Sequence, residues 1–230
     1  MPITLDIPAA ETAIVEMTNT FRAEHKLAGV TPNPLLAAAA RAYAKVLAAR
    51  KGELSHTFGG TTPATRVNAA GYAYCQIGEN LAMAYDSRGF TARGYAHLTL
   101  DGWKESPGHR YNLLMPEVTD IGVAVARSGA NDPRYVAVQV FARPKALKYT
   151  FRIANRTKGA VAYTFAGEEH AVLPRQIIMH TSCAAGNISF KLDARSGVGR
   201  YEARDGRVYT LQPRQGGGVT VAVGRAAATP

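Results

Sequence analysis

Long hydrophobic runs are missing from this 230-residue chain. No stretch approaches the roughly 20 apolar residues that a membrane-crossing helix needs. The richest, "PLLAAAARAYAKVLAAR", is broken by Arg41, Lys45 and Arg50 and reads as an amphipathic helix. Cysteine is scarce as well. Cys75 and Cys183 stand far apart with no CxxC, which excludes a cysteine zinc cage. One bridge between the two halves or two buried thiols would fit, and the usual burial of free cysteine leans toward thiols. The start, "MPITLDIPAA", lacks the basic region and apolar core of a signal peptide, which taken literally points to the cytoplasm. Neither HExxH nor GxSxG occurs, so no zincin helix and no nucleophile elbow is expected. Internal repeats and low-complexity linkers are absent too.

Acid is the other deficit. There are 27 basic and 17 acidic residues, a formal charge of +10. Up to Leu147 the count is 15 to 12, and from Lys148 onward it is 12 to 5, so the excess sits in the tail. A basic tail suits anionic partners such as acidic glycans, lipid headgroups or nucleic acid, although charge alone argues mainly for solubility. A specific nucleic-acid partner is not expected. With 47% hydrophobic and 19% charged residues the chain is globular, not disordered.

What is present is ordered. Over "ETAIVEMTNTFRAEHKLAG", Ile14, Met17, Phe21 and Ala28 recur at helical spacing, with Gly29 as a stop. A second helix should open at Asn33 as N-cap and Pro34 as first residue, bury Leu36, Ala40, Tyr43 and Leu47, and end at Gly52. "TPATRVNAAGY" predicts a short third helix, and Thr91 to Glu105 a fourth, ending where Ser106 precedes a proline. The period then changes to two. "DIGVAVA" and "RYVAVQVFA" flank the turn-rich "RSGANDP" and predict a hairpin. After a boundary near Pro144–Leu147, short alternating runs ("YTFRIAN", "AVAYTFAG", "NISFKLDA", "RVYTLQP") predict a small β-sandwich or barrel. Asn155-Arg-Thr157 and Asn187-Ile-Ser189 match the glycosylation pattern, which is common by chance.

Of six histidines, His25, His97, His170 and His180 read as structural. His56, in "ELSHTF", and His109, in "SPGHR", each follow a helix stop, where scaffolds present functional side chains. Between them stands Glu79 in the otherwise apolar "IGENLA", a carboxylate that needs a partner if buried.

"NTFRAEHKL", "LSH", "GENLA", "W…SPGHRYNLL" and "IGVAVA", in this order, resemble the CAP superfamily of cysteine-rich secretory, antigen 5 and pathogenesis-related proteins, most closely its bacterial SCP-like branch. The resemblance runs from Glu11 to Arg143 and leaves the tail unassigned. It implies an α+β fold: a three-layer α–β–α sandwich over residues 1–146, followed by a small, basic, all-β domain over 147–230. It also implies a cleft holding His56, His109 and Glu79. The family's second acid falls on Ser106 here, which weakens an acid–base pair. The family is mostly secreted, so a secreted or periplasmic location replaces the literal cytoplasmic reading.

His56, His109 and Glu79 could ligate zinc or another divalent ion, shuttle protons, or clasp the cleft loops with Glu79 bonded to both rings. A Ser106–His109 nucleophile pair fits on spacing but lacks an orienting third residue. The favoured expectation is a binder of an envelope or surface ligand (lipid, sterol or anionic glycan), not an enzyme. The alternatives are a metal-assisted hydrolase in the same cleft and an interaction module docking through the basic tail.

Overall fold

Asp6 starts the first helix, α1 (Ile7–Glu24), by accepting the Ala9 N–H on its side chain. A computed structural model describes residues 2–50, 52–129, 134–194 and 196–225, in two compact units, 1–146 and 147–230. The helix begins and ends earlier than its periodicity suggests. His25 closes it, Lys26 turns the chain at a φ of 59°, and Ala28 lies exposed beyond its end. Asn33 caps α2 (Pro34–Ala48) through the Leu35 and Leu36 N–H groups, and Leu36, Ala40, Tyr43 and Leu47 are all buried. Thr62 and Thr65 cap α3 (Pro63–Ala69) reciprocally. Thr91 caps α4 (Ala92–Glu105), which buries Tyr95, Ala96, Thr99, Leu100 and Trp103.

The break at Ser106 is real, but a loop does not follow. Pro107 occupies the first position of a new helix, α5 (Pro107–Leu113), where its missing N–H is harmless. His109 therefore sits in a helical first turn, which corrects its placement on a loop.

The first unit's sheet runs β1 (Thr31–Pro32), β3 (Asp120–Arg127), β4 (Tyr135–Pro144), β2 (Tyr74–Ala84). The β1–β3 pair is parallel and the others are antiparallel. Residues 130–133 of the expected hairpin loop lie outside the described residues. Both sheet faces are covered. Ile121, Val123 and Val125 join α1 and α4 in one core, while Val136, Val138 and Val140 join α2 in the other. The result is the α–β–α sandwich. At Gly122 a Cβ would stand 2.2 Å from the Leu36 carbonyl carbon, so only glycine lets α2 lie this close on β3.

The second unit packs two four-stranded sheets over a core that includes Phe151, Ile153, Tyr163, Phe190, Tyr209 and Leu211. One sheet runs β10 (Val198–Glu202), β9 (Asn187–Lys191), β6 (Val161–Phe165), β7 (Glu168–Val172). The other runs β12 (Val219–Arg225), β11 (Arg207–Pro213), β5 (Tyr149–Asn155), β8 (Ile177–Ser182). The four runs read from the sequence are β5, β6, β9 and β11. Asn155 and Thr157 owe their pattern to structure. The buried Asn155 amide donates to the Gly159 and Val172 carbonyls and accepts from Thr157, which leaves it no room for a glycan.

His180 lies stacked on Phe151, 5.0 Å between ring centroids, with its Nε2 2.7 Å from the Tyr163 hydroxyl. Burial, helped by nearby His170, pushes the His180 imidazole below its ordinary range, and burial pushes the Tyr163 phenol up to about 12. Neither Cys75 nor Cys183 is a free thiol, which corrects the leaning toward two buried thiols. Both are half-buried, so the burial argument for free cysteine does not apply to them.

Candidate functional site

Strand β2 is an edge strand, and adjacent residues on it point to opposite faces. Glu79 stands opposite Val140, on the α2 and α3 side, and Asn80 stands opposite Gln139, on the α1 and α5 side. This alternation builds the site around one strand edge.

On the first side, Glu79 is buried, its side chain 2% exposed. Arg66 of α3 donates from one Nη2 to both Glu79 oxygens, at 2.8 and 2.7 Å, and His56 Nδ1 meets Oε1 at 2.9 Å. The Arg66 guanidinium also donates to the His56 carbonyl and the Thr61 hydroxyl and lies 3.4 Å above the Tyr43 ring. Tyr43 in turn donates to the Ser55 carbonyl and accepts the Phe58 N–H, so the loop bearing His56 is fastened from below.

On the second side a buried polar relay crosses the sheet. Asn112 of α5 donates to the Glu79 carbonyl and to Asn80 Oδ1. Asn80 donates to the His109 carbonyl and to Gln139, and Gln139 donates to Thr18 of α1. Each buried polar side chain in this relay has a partner, the condition under which such networks rigidify a fold. Deeper still, Arg22 is fully buried and donates to the Ala28, Leu113 and Met115 carbonyls, fixing the end of α5.

The expected trio is thus brought together, with a different bond pattern. Glu79 holds His56 and Arg66, not both rings. Burial first, and His56 nearby second, push His109 below its ordinary range. Ser106 caps nothing with its hydroxyl, and no hydrogen bond joins it to His109 among the described residues. As a third metal ligand Glu79 does not fit, because both its oxygens already face a guanidinium at contact distance, which opposes a dication. Among the described residues no three His, Cys, Asp or Glu side chains are grouped to hold an ion.

Arg66 is the residue that sequence reasoning missed, and nothing local signals it, since its pairing with Glu79 depends on how α3 lands on β2. Asn80 and Asn112 stood inside the quoted motifs. Gln139, the lone amide in "RYVAVQVFA", was a visible polar break in a buried strand.

Beside the trio, between α4 and the edge of β2, lies a groove of about 700 Å³. Leu54, Leu81, Met83, Tyr85, Leu98 and Trp103 give it apolar walls, and His109 stands in its lining. The Trp103 indole donates to the Leu81 carbonyl, which ties α4 to the strand at the groove floor.

A central sheet between helical layers, with two histidines and a glutamate at an edge strand, defines the class. The cysteine-rich secretory protein family (CAP) matches residues 15–141, and the chain belongs to that family. It is similar to the uncharacterized protein YkwD of Bacillus subtilis, 29% identical over 126 residues. That match takes in 54% of this chain and 45% of YkwD, so the chain spans about half the length of this curated relative. An outer surface protein of Borrelia burgdorferi, at 20% identity and a TM-score of 0.53, shares the fold over 63% of this chain and 100% of its own. An extracellular SCP-domain protein of Bacillus anthracis is 28% identical, over 60% of this chain and 41% of that one, with a TM-score of 0.49. The family match leaves residues 147–230 uncovered. No helix among the described residues is long and apolar enough to cross a membrane.

The histidines set a pH dependence. Burial depresses the folded-state pKa of His109 and of His180 below the ordinary 6.5. The unfolded chain therefore binds more protons than the folded one between the depressed values and 6.5, and stability falls as pH drops through that window. Above 6.5 this contribution is complete. Denaturant midpoints measured from pH 7.5 downward should decline for the native chain. They should decline less for His109→Gln/His180→Gln, and an unchanged slope in that variant would contradict the assignment.

Proposed function

We propose that this chain is a secreted protein that acts by binding, holding an amphipathic envelope ligand (a lipid, a sterol or a lipid-bearing glycan) in the groove between α4 and β2. The observation that carries this reading is the groove itself. It is large enough for an acyl chain or a sterol, and most of the side chains in its walls are apolar. His109, which shares the polar part of the lining with Glu53 and Thr99, has an imidazole held toward the neutral form, suited to a hydroxyl or carbonyl headgroup. The absence of free thiols among the described residues is in keeping with an oxidising compartment.

Turnover is the weaker reading. Glu79 is engaged with Arg66 and His56 and so is poorly placed as a general base, and Ser106 lacks a base of its own among the described residues. If a divalent ion binds, His56 and His109 are the ligands it would use, and zinc calorimetry on His56→Ala/His109→Ala tests that separately.

Trp103 is the only tryptophan of the chain and lines the groove, so it reports occupancy directly. Titration with lauric acid or lysophosphatidylcholine below its micellar concentration should change Trp103 fluorescence and saturate. Leu98→Arg, at an exposed position on the groove wall, should abolish that change without loss of folding. The double histidine variant should weaken it by less than tenfold. A signal that never saturates, or one indifferent to Leu98→Arg, would remove the groove from consideration.

A further inference from the structure

Among the described residues, the outer face of the sheet β12-β11-β5-β8 carries no carboxylate. Residues at alternate positions on its strands point outward, and beside the aliphatics of β8 they are threonine, alanine, valine, glutamine and glycine with one arginine, Arg152. On the edge strand β8, Ile177 and Met179 point out with 65% and 63% of their surface exposed. Met179 lies in register with Arg152 on β5. Just before β8, Leu173 is also exposed.

Cations border this apolar strip. Arg156 follows β5 directly, and its N–H donates to the Leu211 carbonyl. The Arg175 N–H donates to the Asn155 carbonyl, which brings the turn 173–176 against the end of β5. The buried Asn155 and Thr157 lock the loop so that Arg156 is turned out to solvent. Arg175 itself is unusual. In the turn closed by the Gln176 N–H on the Leu173 carbonyl, it stands after Pro174 with a φ of 65°, a position that glycine fills in such turns. An exposed arginine kept where the backbone favours glycine is an outlier of the kind found at working surfaces.

We propose that this face is a docking surface for an anionic lipid bilayer, with Leu173, Ile177 and Met179 entering the interface and Arg152, Arg156 and Arg175 meeting the headgroups. Exposed aliphatic side chains flanked by guanidinium groups match a surface that is apolar inside and negative at its rim. A hydrophilic polyanion would use the cations and leave the aliphatics in water. A single-stranded nucleic acid would want aromatic platforms, and the turn 173–176 and the loop 156–160 contain none. The proposal goes beyond the groove of the first unit and does not depend on it.

The test is cosedimentation of the full chain with vesicles of pure phosphatidylcholine and of phosphatidylcholine with about 30 mol% phosphatidylglycerol, a charge density at which basic side chains add measurably to binding. Wild type should bind the anionic vesicles at least tenfold more tightly than the neutral ones, with partial release at high salt. Ile177→Ser/Met179→Ser should lower the affinity at least tenfold at unchanged fold. Arg175→Gly is the sharpest variant, because it relieves the backbone while deleting the charge. It should melt at a temperature equal to or above that of wild type and yet bind anionic vesicles more weakly. Leu98→Arg, which blocks the groove, should bind vesicles as wild type does, so failure of the groove and failure of this face are told apart. Equal binding to neutral vesicles, or full binding by the serine variant, overturns the proposal. So does a chain that ignores vesicles and instead dimerises through Ile177 and Met179, or one that binds only a soluble polyanion such as heparin.

Discussion

An Arg66→Ala variant should unfold about 3–5 kcal/mol more easily than the native chain, the usual cost of stranding a buried charge. The partner left behind is Glu79, with 2% of its side chain exposed and, among the described residues, no other side chain at hydrogen-bond distance of its carboxylate except the His56 imidazole. Arg66 gives more than its charge. It donates to both Glu79 oxygens, to the His56 carbonyl and to Thr61, and it covers the Tyr43 ring. Losing it would free the loop that carries His56 and leave α3 held to β2 by the apolar packing of Val67. The measurement is a denaturant midpoint on the full chain, followed by the Glu79→Leu and Arg66→Met/Glu79→Leu variants. The double variant should recover much of the loss, since two apolar residues of similar volume bury no charge. A loss under about 1 kcal/mol for Arg66→Ala, the value of an exposed pair, would mean that Glu79 is solvated and that the clasp is not structural.

That result bears on what the trio is for. A carboxylate fixed by a guanidinium orients the half-exposed His56 through its Nδ1. The imidazole becomes a positioned donor or acceptor beside a groove, a different role from that of a loosely held base. The hydrolase expectation placed His56, His109 and Glu79 at work together in the cleft. Arg66 attaches one of them firmly, and of the two histidines His109 stands in the groove lining.

Much of the first unit was legible in the sequence because its signals are local. Asn33 before Pro34, Thr91 before α4 and the alternation in "DIGVAVA" each need only their neighbours to be read. The motif order from "NTFRAEHKL" to "IGVAVA" carried the layered fold and the trio. The failures share one physical cause, which is that the deciding partner is remote. Pro107 can end one helix or begin the next, and the partners that hold α5, Asn80 across the strand edge and Arg22 of α1, are remote in sequence. Arg66 looked like an ordinary charge on a short helix until β2 placed Glu79 beneath it. In the second unit, β7 and β8 carry "EEHAV" and "IIMHTS", whose exposed faces blur the usual alternation. The groove could not be read at all, because its walls come from the 53–54 segment, β2 and α4 at once.

Arg22 supplies the other large expected effect. It is a fully buried cation that meets no carboxylate in its hydrogen bonds among the described residues, only the carbonyls of Ala28, Leu113 and Met115. Burial lowers its pKa from the ordinary arginine value, yet guanidinium is the one side chain that keeps its charge under such pressure. Two of the three carbonyls lie at the C-terminal end of α5, where the helix dipole favours a positive charge. Arg22→Ala would leave two buried acceptors, the Leu113 and Met115 carbonyls, without their donor, at about 1–3 kcal/mol for each group left unpaired, and would release the part-buried Ala28 carbonyl as well. Partial relaxation makes a total of about 3–4 kcal/mol the expected outcome, read from the denaturant midpoint, since such contributions do not simply add. Arg22→Lys should recover little, because one ammonium cannot span the fork that reaches the Ala28 carbonyl and the end of α5 together. The effect should also be local. Amide exchange in 107–115 should quicken more than exchange in α2, because only the former loses its anchor. With α5 loosened, His109 moves in the groove wall, and the Trp103 titration should weaken in Arg22→Ala even at temperatures where the chain is fully folded. If exchange rises uniformly across the first unit and ligand binding is kept, Arg22 supports the core in general, and the link from α1 through α5 to the groove is wrong.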